Sequence, residues 1–325
     1  MSKAPVAVYG CGGAGVNIAR KIDVGDDVRF GGDYIVYYID TSESNFRGDE
    51  IPSENIHFIT DKDGAGKIRG GAAEPIKREM PAIVAKFKPA KFNIIISSTS
   101  GGSGAVIAQL LADAMISRGD NFVIIYIGSV ASQIEIENAV KSLRSLEALA
   151  VKHRRPVATH YLSNSGSSRA NIDKNAVGAV RCLIGLFNPM HAEMDSADLT
   201  TWLTHGSLGS RLVSLSFANT VDEYQKIEGA MSVATIADVN ANTDLVPIPA
   251  YQTVGFAPQQ WVEAKAIASG AALHFVLGDA VVMKEVTALA EQNAAATEAV
   301  LARTRHTGII SKDDLNQADD SGLLL

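Results

Sequence analysis

Two glycine-rich stretches carry the residues best suited to chemistry. The first is Gly10-Cys11-Gly12-Gly13-Ala14-Gly15, with G-x-G-x-x-G spacing between a strand pattern and a helix pattern. The second is Ser100-Gly101-Gly102-Ser103-Gly104, again between an apolar run and a helix. Glycines let backbone N–H groups approach a phosphate, and a helix N-terminus adds partial positive charge. Two such loops on neighbouring strands would converge at the carboxyl edge of a sheet, where they can cradle a di- or triphosphate. Ser103 would add a hydroxyl at the start of its helix. A third stretch, Asp63-Gly64-Ala65-Gly66-Lys67 followed by Gly70-Gly71, reads as a loop that folds over a terminal phosphate, with Gly66 and Lys67 as its contacts. A plain surface loop fits the same residues.

The first loop leaves the nucleotide open. With Asp40 at the end of the second strand pattern, its spacing also fits a dinucleotide site with a ribose-binding acid, hence an NAD-dependent oxidoreductase. A dinucleotide fold does not require the second glycine loop, however, and no catalytic His/Lys arrangement accompanies it. No G-x-x-x-x-G-K-[ST] occurs, which excludes a P-loop NTPase. The seven histidines are scattered without an H-E-x-x-H or a Cys/His cluster, so no metal site is expected from the protein's own ligands. Cys11 reads as a small residue packed within the phosphate loop rather than a nucleophile. Further on, Asp195 and Asp198 stand three apart at a helix start. By themselves they read as an N-cap and a first-turn acid, and the spacing puts both carboxylates on one face.

The elements that must position these residues alternate. Apolar runs at 6–9, 34–39, 92–97, 122–127 and 157–162 read as strands buried on both faces, as in a parallel sheet. Helical patterns at 14–22, 75–86, 104–117 and 135–152 lie between them. This alternation predicts an open α/β sheet with right-handed crossovers. A helix over 169–187 ends at Asn188-Pro189. Beyond it the texture changes to an α+β half, with strands at 211–217, 232–239, 250–256 and 272–277. Helices near 195–204, 221–229 and 259–269 separate them, and a last helix runs from Asp279 to Arg305. At 325 residues, 46% of them apolar, the chain has room for about two domains by the length prior. The 29 basic against 36 acidic residues leave a net charge of −7, which offers no general attraction to nucleic acid. Two cysteines cannot build a disulfide framework. The N-terminus enters a strand pattern directly, and no apolar run is long enough to span a membrane. A cytoplasmic protein is the expectation.

In this order the motifs resemble the tubulin/FtsZ superfamily. Its phosphate motif, G-G-G-[TS]-G-[SAG]-G, reads here Ser100-Gly101-Gly102-Ser103-Gly104-Ala105-Val106, with Ser100 and Val106 in place of the outer glycines. The first glycine loop, and the long helix leading to an acidic loop, follow the same order. The likeness runs to about Arg305 and is nearest to phage-encoded tubulins of the PhuZ type. It implies a tubulin-like α/β fold: a GTP-binding domain over 1–168, a central helix over 169–188 and a smaller α+β domain over 189–278. A long helix over 279–305 and an acidic tail over 306–325 follow.

The resemblance also implies an assembly-coupled GTPase using GTP and Mg2+. Met194-Asp195-Ser196-Ala197-Asp198-Leu199 matches the family's catalytic loop, in which two acids reach the nucleotide of the next subunit. Asp173, Asn164 and Asn17 correspond to base contacts. Gly10, Cys11, Gly12 and Gly13, with Ser100 through Gly104, would line the phosphates. Glu135 is the acid nearest the ribose region and is not assigned to it. The expected partner is the chain itself, in a head-to-tail filament whose tail docks on a neighbour. That tail carries Asp313, Asp314, Asp319 and Asp320 and ends in three leucines. Phage DNA or capsid would be cargo only indirectly, in the host cytoplasm and without a membrane. A plasmid-partition tubulin shares this chemistry and differs in its partners. The basic run Lys152-His153-Arg154-Arg155 reads as a helix end complementing its dipole.

Overall fold

The computed structural model describes residues 6–22, 33–47, 51–59, 66, 69–129, 132–164, 167–188, 193–238, 249–257, 272–278 and 280–306. The expected helix at 259–269, Lys67 and the acidic tail beyond His306 lie outside them.

Among these residues the strands are β1 (Val6–Cys11), β2 (Tyr34–Asp40), β3 (Ile56–Phe58), β4 (Phe92–Ser98) and β5 (Asn121–Gly128). They continue with β6 (Val157–Ser163), β7 (Leu212–Ala218), β8 (Ala230–Asp238), β9 (Tyr251–Ala257) and β10 (Ala272–Gly278). The helices are α1 (Gly12–Ala19), α2 (Arg69–Lys86), α3 (Ser103–Ser117), α4 (Gln133–His153), α5 (Arg169–Phe187), α6 (Ser196–Thr204), α7 (Val221–Gln225) and α8 (Ala280–His306). All ten strands form one sheet in the order β3-β2-β1-β4-β5-β6-β7-β10-β8-β9. The pairings from β3 to β7 are parallel, and β10 runs antiparallel to both β7 and β8. The sheet thus passes without a break across the boundary expected at 168–189, through the Val157–Leu212, Ala158–Val213 and Thr159–Ser214 register.

The alternation of side chains along the parallel strands builds two cores. Val6, Val8, Ile94, Ile96, Val123 and Ile125 face α1 and α5. Ala7, Tyr9, Ile95, Ile124 and Tyr126 face α2, α3 and α4. Both faces are covered, which is why these strands read as continuous Ile/Val runs. On the first face α5 runs the length of the central strands β4, β5 and β6. Its start lies by the glycine loops, and its last residue, Phe187, stacks on Phe92 at 4.6 Å. On the second face α8 packs along α4 and contributes the buried Leu289. One turn earlier, Glu285 turns toward the sheet, and burial pushes its carboxyl up to about 8.

Four details differ from expectation. The helix α2 starts at Arg69, and Pro75 and Pro81 lie inside it, so Gly70 and Gly71 belong to its first turn rather than to a loop. The short β3 was not expected, because three residues carry too little pattern. The helix α1 runs over Gly12–Ala19, ending before the expected 22. The helix at 221–229 stops at Gln225, because Gly229 takes a positive φ of 66° and β8 begins at Ala230.

Candidate nucleotide site and acidic loop

A cavity of about 350 Å³ opens at the carboxyl edge of the parallel strands, lined from Cys11, Ser98, Ile127 and Asn164 at the strand ends. Both glycine loops face it. Cys11, Gly12, Gly13, Ala14 and Asn17 come from the first loop and α1, and Ser100 through Gly104 from the second. The two loops interlock. Gly12 has a φ of +71°, and a Cβ there would lie 2.5 Å from the Gly104 Cα. A Cβ on Gly104 would lie 2.6 Å from the Cys11 carbonyl oxygen. Only backbone fits between them.

The helices that begin at these loops leave their first amides without a local acceptor. Neither α1 nor α3 has a side-chain cap or an acid in its first turn. The first amides of a helix have no intrahelical partner, so these point at the cavity with their positive dipole ends. The second loop is held from behind. Ser129 N donates to Ser100 Oγ at 2.7 Å, and Asn138 Nδ2 donates to Ser100 O at 3.2 Å. Ser129 Oγ in turn donates to Glu135 Oε2 at 2.9 Å.

The start of α5 closes the third side with Arg169, Ile172 and Asp173. Asp173 accepts a 2.6 Å bond from Lys21 Nζ. Asn17 and Asn164 also reach the cavity. The arrangement therefore joins an amide-lined cradle to a polar pocket with two acids, Asp173 and Glu135, two amide side chains and one guanidinium.

Three expected contacts lie elsewhere. Gly10 is buried inside β1, where a Cβ would lie 2.8 Å from the Gly15 carbonyl oxygen, so it seats α1 on the strand rather than facing a ligand. Asp40 is buried and accepts from Thr41 N at 2.7 Å, Asn45 Nδ2 at 2.6 Å and Ser103 Oγ at 3.2 Å. Burial raises its pKa against these bonds. It holds Ser103 from below and is absent from the cavity wall, which removes the acid a dinucleotide ribose would need. Gly66 is exposed, with nothing within 4 Å of a Cβ placed there. Conversely, Arg169, Ser98, Ser129 and Glu135 border the cavity or support it and were not assigned. The helical pattern at 169 placed Arg169 at a helix start, which was the signal available for it.

The acid pair lies at the other end of the sheet. Asp195 caps α6, accepting from Ala197 N at 2.7 Å and Asp198 N at 3.0 Å through Oδ1. Asp198 Oδ2 accepts from Asp195 N at 2.9 Å, completing a reciprocal capping box. The Asp198 and Ala197 amides hold the exposed Asp195 carboxyl below the usual carboxylate range. The helix is pinned to the amino ends of the strands: Lys91 Nζ, just before β4, donates to Ser196 Oγ, and Asn121 Nδ2, at the start of β5, donates to Thr200 Oγ1 at 3.0 Å. The seven residues of β4 thus separate this helix from the glycine loops by about 20 Å at 3.3 Å per residue. Trp202, fully buried between Phe187 and Phe275, anchors the helix from inside.

No family model matches the chain. A phage tubulin-like protein of Pseudomonas phage phiKZ is 27% identical to it, over 100% of this chain and 99% of the relative. The protofilament structure of TubZ from bacteriophage PhiKZ superposes with a TM-score of 0.85 at 27% identity, covering 99% of this chain and 100% of that one. The structure of the phage tubulin PhuZ bound to GDP gives a TM-score of 0.83 at 22% identity, over 99% and 100% of the two chains. With the paired loops and the sheet order, these likenesses support a tubulin/FtsZ-like fold for the chain. Three curated relatives, each a phage tubulin-like protein of a Pseudomonas phage, are 24–27% identical to it over at least 98% of its length.

Proposed function

We propose that the chain is a phage tubulin that binds GTP between its glycine loops, polymerises head to tail and hydrolyses GTP at the junction between subunits. The observation that carries this reading is the placement of the two half-sites. The phosphate cradle lies at the carboxyl edge of the sheet, while Asp195 and Asp198 lie at its amino edge, so no subunit can bring its own acids to its own cavity. A second copy stacked along the same axis brings the two together. Phosphoryl transfer needs a positioned water and managed charge more than covalent help. A carboxylate held below the usual range, as Asp195 is, stays ionised and can orient and polarise that water.

Within the cavity, the first amides of α1 and α3 and the Ser103 hydroxyl would bind the phosphates. Asp173 can accept the two N–H donors of the guanine edge, a pattern adenine lacks, and Asn164 and Asn17 would flank the base. Lys21 neutralises Asp173 from behind. Among the described residues no cluster of three His, Cys, Asp or Glu could cage a metal ion. A magnesium ion would therefore be held chiefly by phosphate oxygens and water, the usual mode for this ion, with Ser103 as the nearest hydroxyl. It would supply charge neutralisation at the phosphates. The PhiKZ relative's protofilament and the GDP complex of PhuZ support filament formation and guanine nucleotide binding as the place to look. The tail, residues 306–325, would dock on a neighbouring subunit, and the filament would position phage DNA or a nucleus-like shell in the host cytoplasm.

The test is light scattering of the purified protein with magnesium and GTP, ATP, NAD or a slowly hydrolysed GTP analogue. A rise specific to GTP that decays as phosphate appears, and persists with the analogue, is expected. No rise with any nucleotide at tens of micromolar protein would sink the proposal.

A further inference from the structure

Beside the acid pair stands a tyrosine that neither the phosphate cradle nor the capping box uses. Tyr251 opens β9, the edge strand, and its hydroxyl donates to the Asp198 main-chain oxygen at 3.2 Å, with Asp198 Oδ1 at 3.5 Å. Its ring is stacked on His205 at 5.3 Å, with 24° between the planes. His205 is itself fixed, because its Nδ1 meets Ser207 Oγ at 2.8 Å. The phenol is thus held from one side by an aromatic ring and aimed at the first turn of α6 on the other.

The two acids consequently differ. Asp198 gives Oδ2 to the Asp195 amide and turns Oδ1 toward the phenol. Asp195 accepts both cap bonds through Oδ1, and its carboxyl is exposed, so Oδ2 is not used by the cap. We infer that Tyr251 is a positioning residue: it locks Asp198 into the capping box, and that box presents the free Asp195 oxygen to the neighbouring subunit's nucleotide. The phenol also disfavours any second rotamer in which Asp198 would leave the cap and release Asp195. The inference rests on the reading of the acid pair as the in-trans catalytic half-site.

The groups facing the phenol are Asp198 and Thr201 on α6, Thr253 on its own strand and His205 after α6. Among the described residues, no lysine or arginine stands in this group. The phenol therefore donates chiefly to the Asp198 main-chain oxygen, with the Asp198 carboxylate at the edge of its reach.

The experiment uses the full chain with Tyr251→Phe, which keeps the ring and its stacking and deletes only the hydroxyl. Turnover per polymerised subunit is expected to fall up to about tenfold, the equivalent of one hydrogen bond. GTP affinity and assembly with the slowly hydrolysed analogue should match the parent, because a phenol-to-phenyl change touches neither the cavity nor the fold. His205→Leu, which loosens the ring, should lower turnover in the same direction by less. Asp198→Asn separates the two levels of the argument. If Asp198→Asn is slow and Tyr251→Phe runs at the parental rate, the positioning role is wrong while the acid assignment stands. If both run at the parental rate, the acid pair itself is not catalytic. If Tyr251→Phe loses turnover, affinity and analogue-driven assembly in equal measure, the hydroxyl is merely structural and the inference is overturned.

Discussion

Gly12 and Gly104 meet backbone on backbone, with space for a Cβ on neither: 2.5 Å to the Gly104 Cα from one side, 2.6 Å to the Cys11 carbonyl from the other. The two glycine loops are therefore one mechanical unit, and each sets where the other's amides point. Gly12→Ala adds a left-handed penalty of about 1–2 kcal/mol to the clash. Gly104→Ala pushes against a carbonyl and a strand residue that cannot move. Either substitution should weaken GTP binding at least about tenfold, roughly one 1.4 kcal/mol step. Equilibrium binding of a fluorescent GTP analogue checks this, and near-parental affinity for Gly104→Ala would show that the loops can part.

Asp195→Ala should leave nucleotide binding and assembly in place and slow phosphate release at least about a hundredfold, the low end of the loss expected for a removed general base. It also removes the cap of α6, which costs about 1 kcal/mol of stability. Asp195→Asn retains a capping acceptor and is the cleaner variant. Phosphate release measured at equal polymer mass distinguishes a stalled filament from a missing one, and parental release in Asp195→Asn would defeat the assignment.

Glu285 makes stability fall as pH rises. Its carboxyl titrates at about 8 in the fold against 4.5 unfolded, so the folded state holds the extra proton between those values. The contribution is complete below 4.5 and is lost as pH climbs through 8. Glu285→Gln should remove that slope and raise Tm by about 2–4 °C for each kcal/mol recovered near pH 8. Thermal melts at pH 6 and pH 8.5, parent against variant, test it; parallel shifts at both values would remove Glu285 as the cause.

Deletion of residues 306–325 should raise the protein concentration at which GTP-driven scattering begins, without changing GTP affinity. An unchanged threshold would mark the tail as a solvated extension.

The parallel half of the fold was legible because its strands are buried on both faces, which writes them as unbroken Ile/Val runs between glycine loops. The cradle was legible for the same reason, since loop position follows from strand position. What escaped was tertiary. The G-x-G-x-x-G of the first loop mixes two tasks, with Gly12 lining the cavity and Gly10 seating a helix, and spacing does not separate them. Asp40 reads as a ligand from its place at a strand end, yet Asn45 and Ser103, five and 63 residues away, claim it. Tyr251 lies 53 residues from Asp198, and only the edge position of β9 brings them together. The start of α2 was hidden by two glycines and two prolines that locally favour a loop, a preference overridden by the burial of Ala72 and Ile76 against α3.

The order β7-β10-β8 has a consequence for how the chain is made. The last strand is the one that joins β8 and β9 to the rest, so a nascent chain can close its cradle long before it can fix the strands on which α6 rests. While synthesis continues, a ribosome-bound molecule would hold nucleotide without offering acids to a neighbour. On the function proposed above, emergence of residue 278 from the ribosome would be the step that permits assembly, and fragments would be kept from capping the growing end of a polymer.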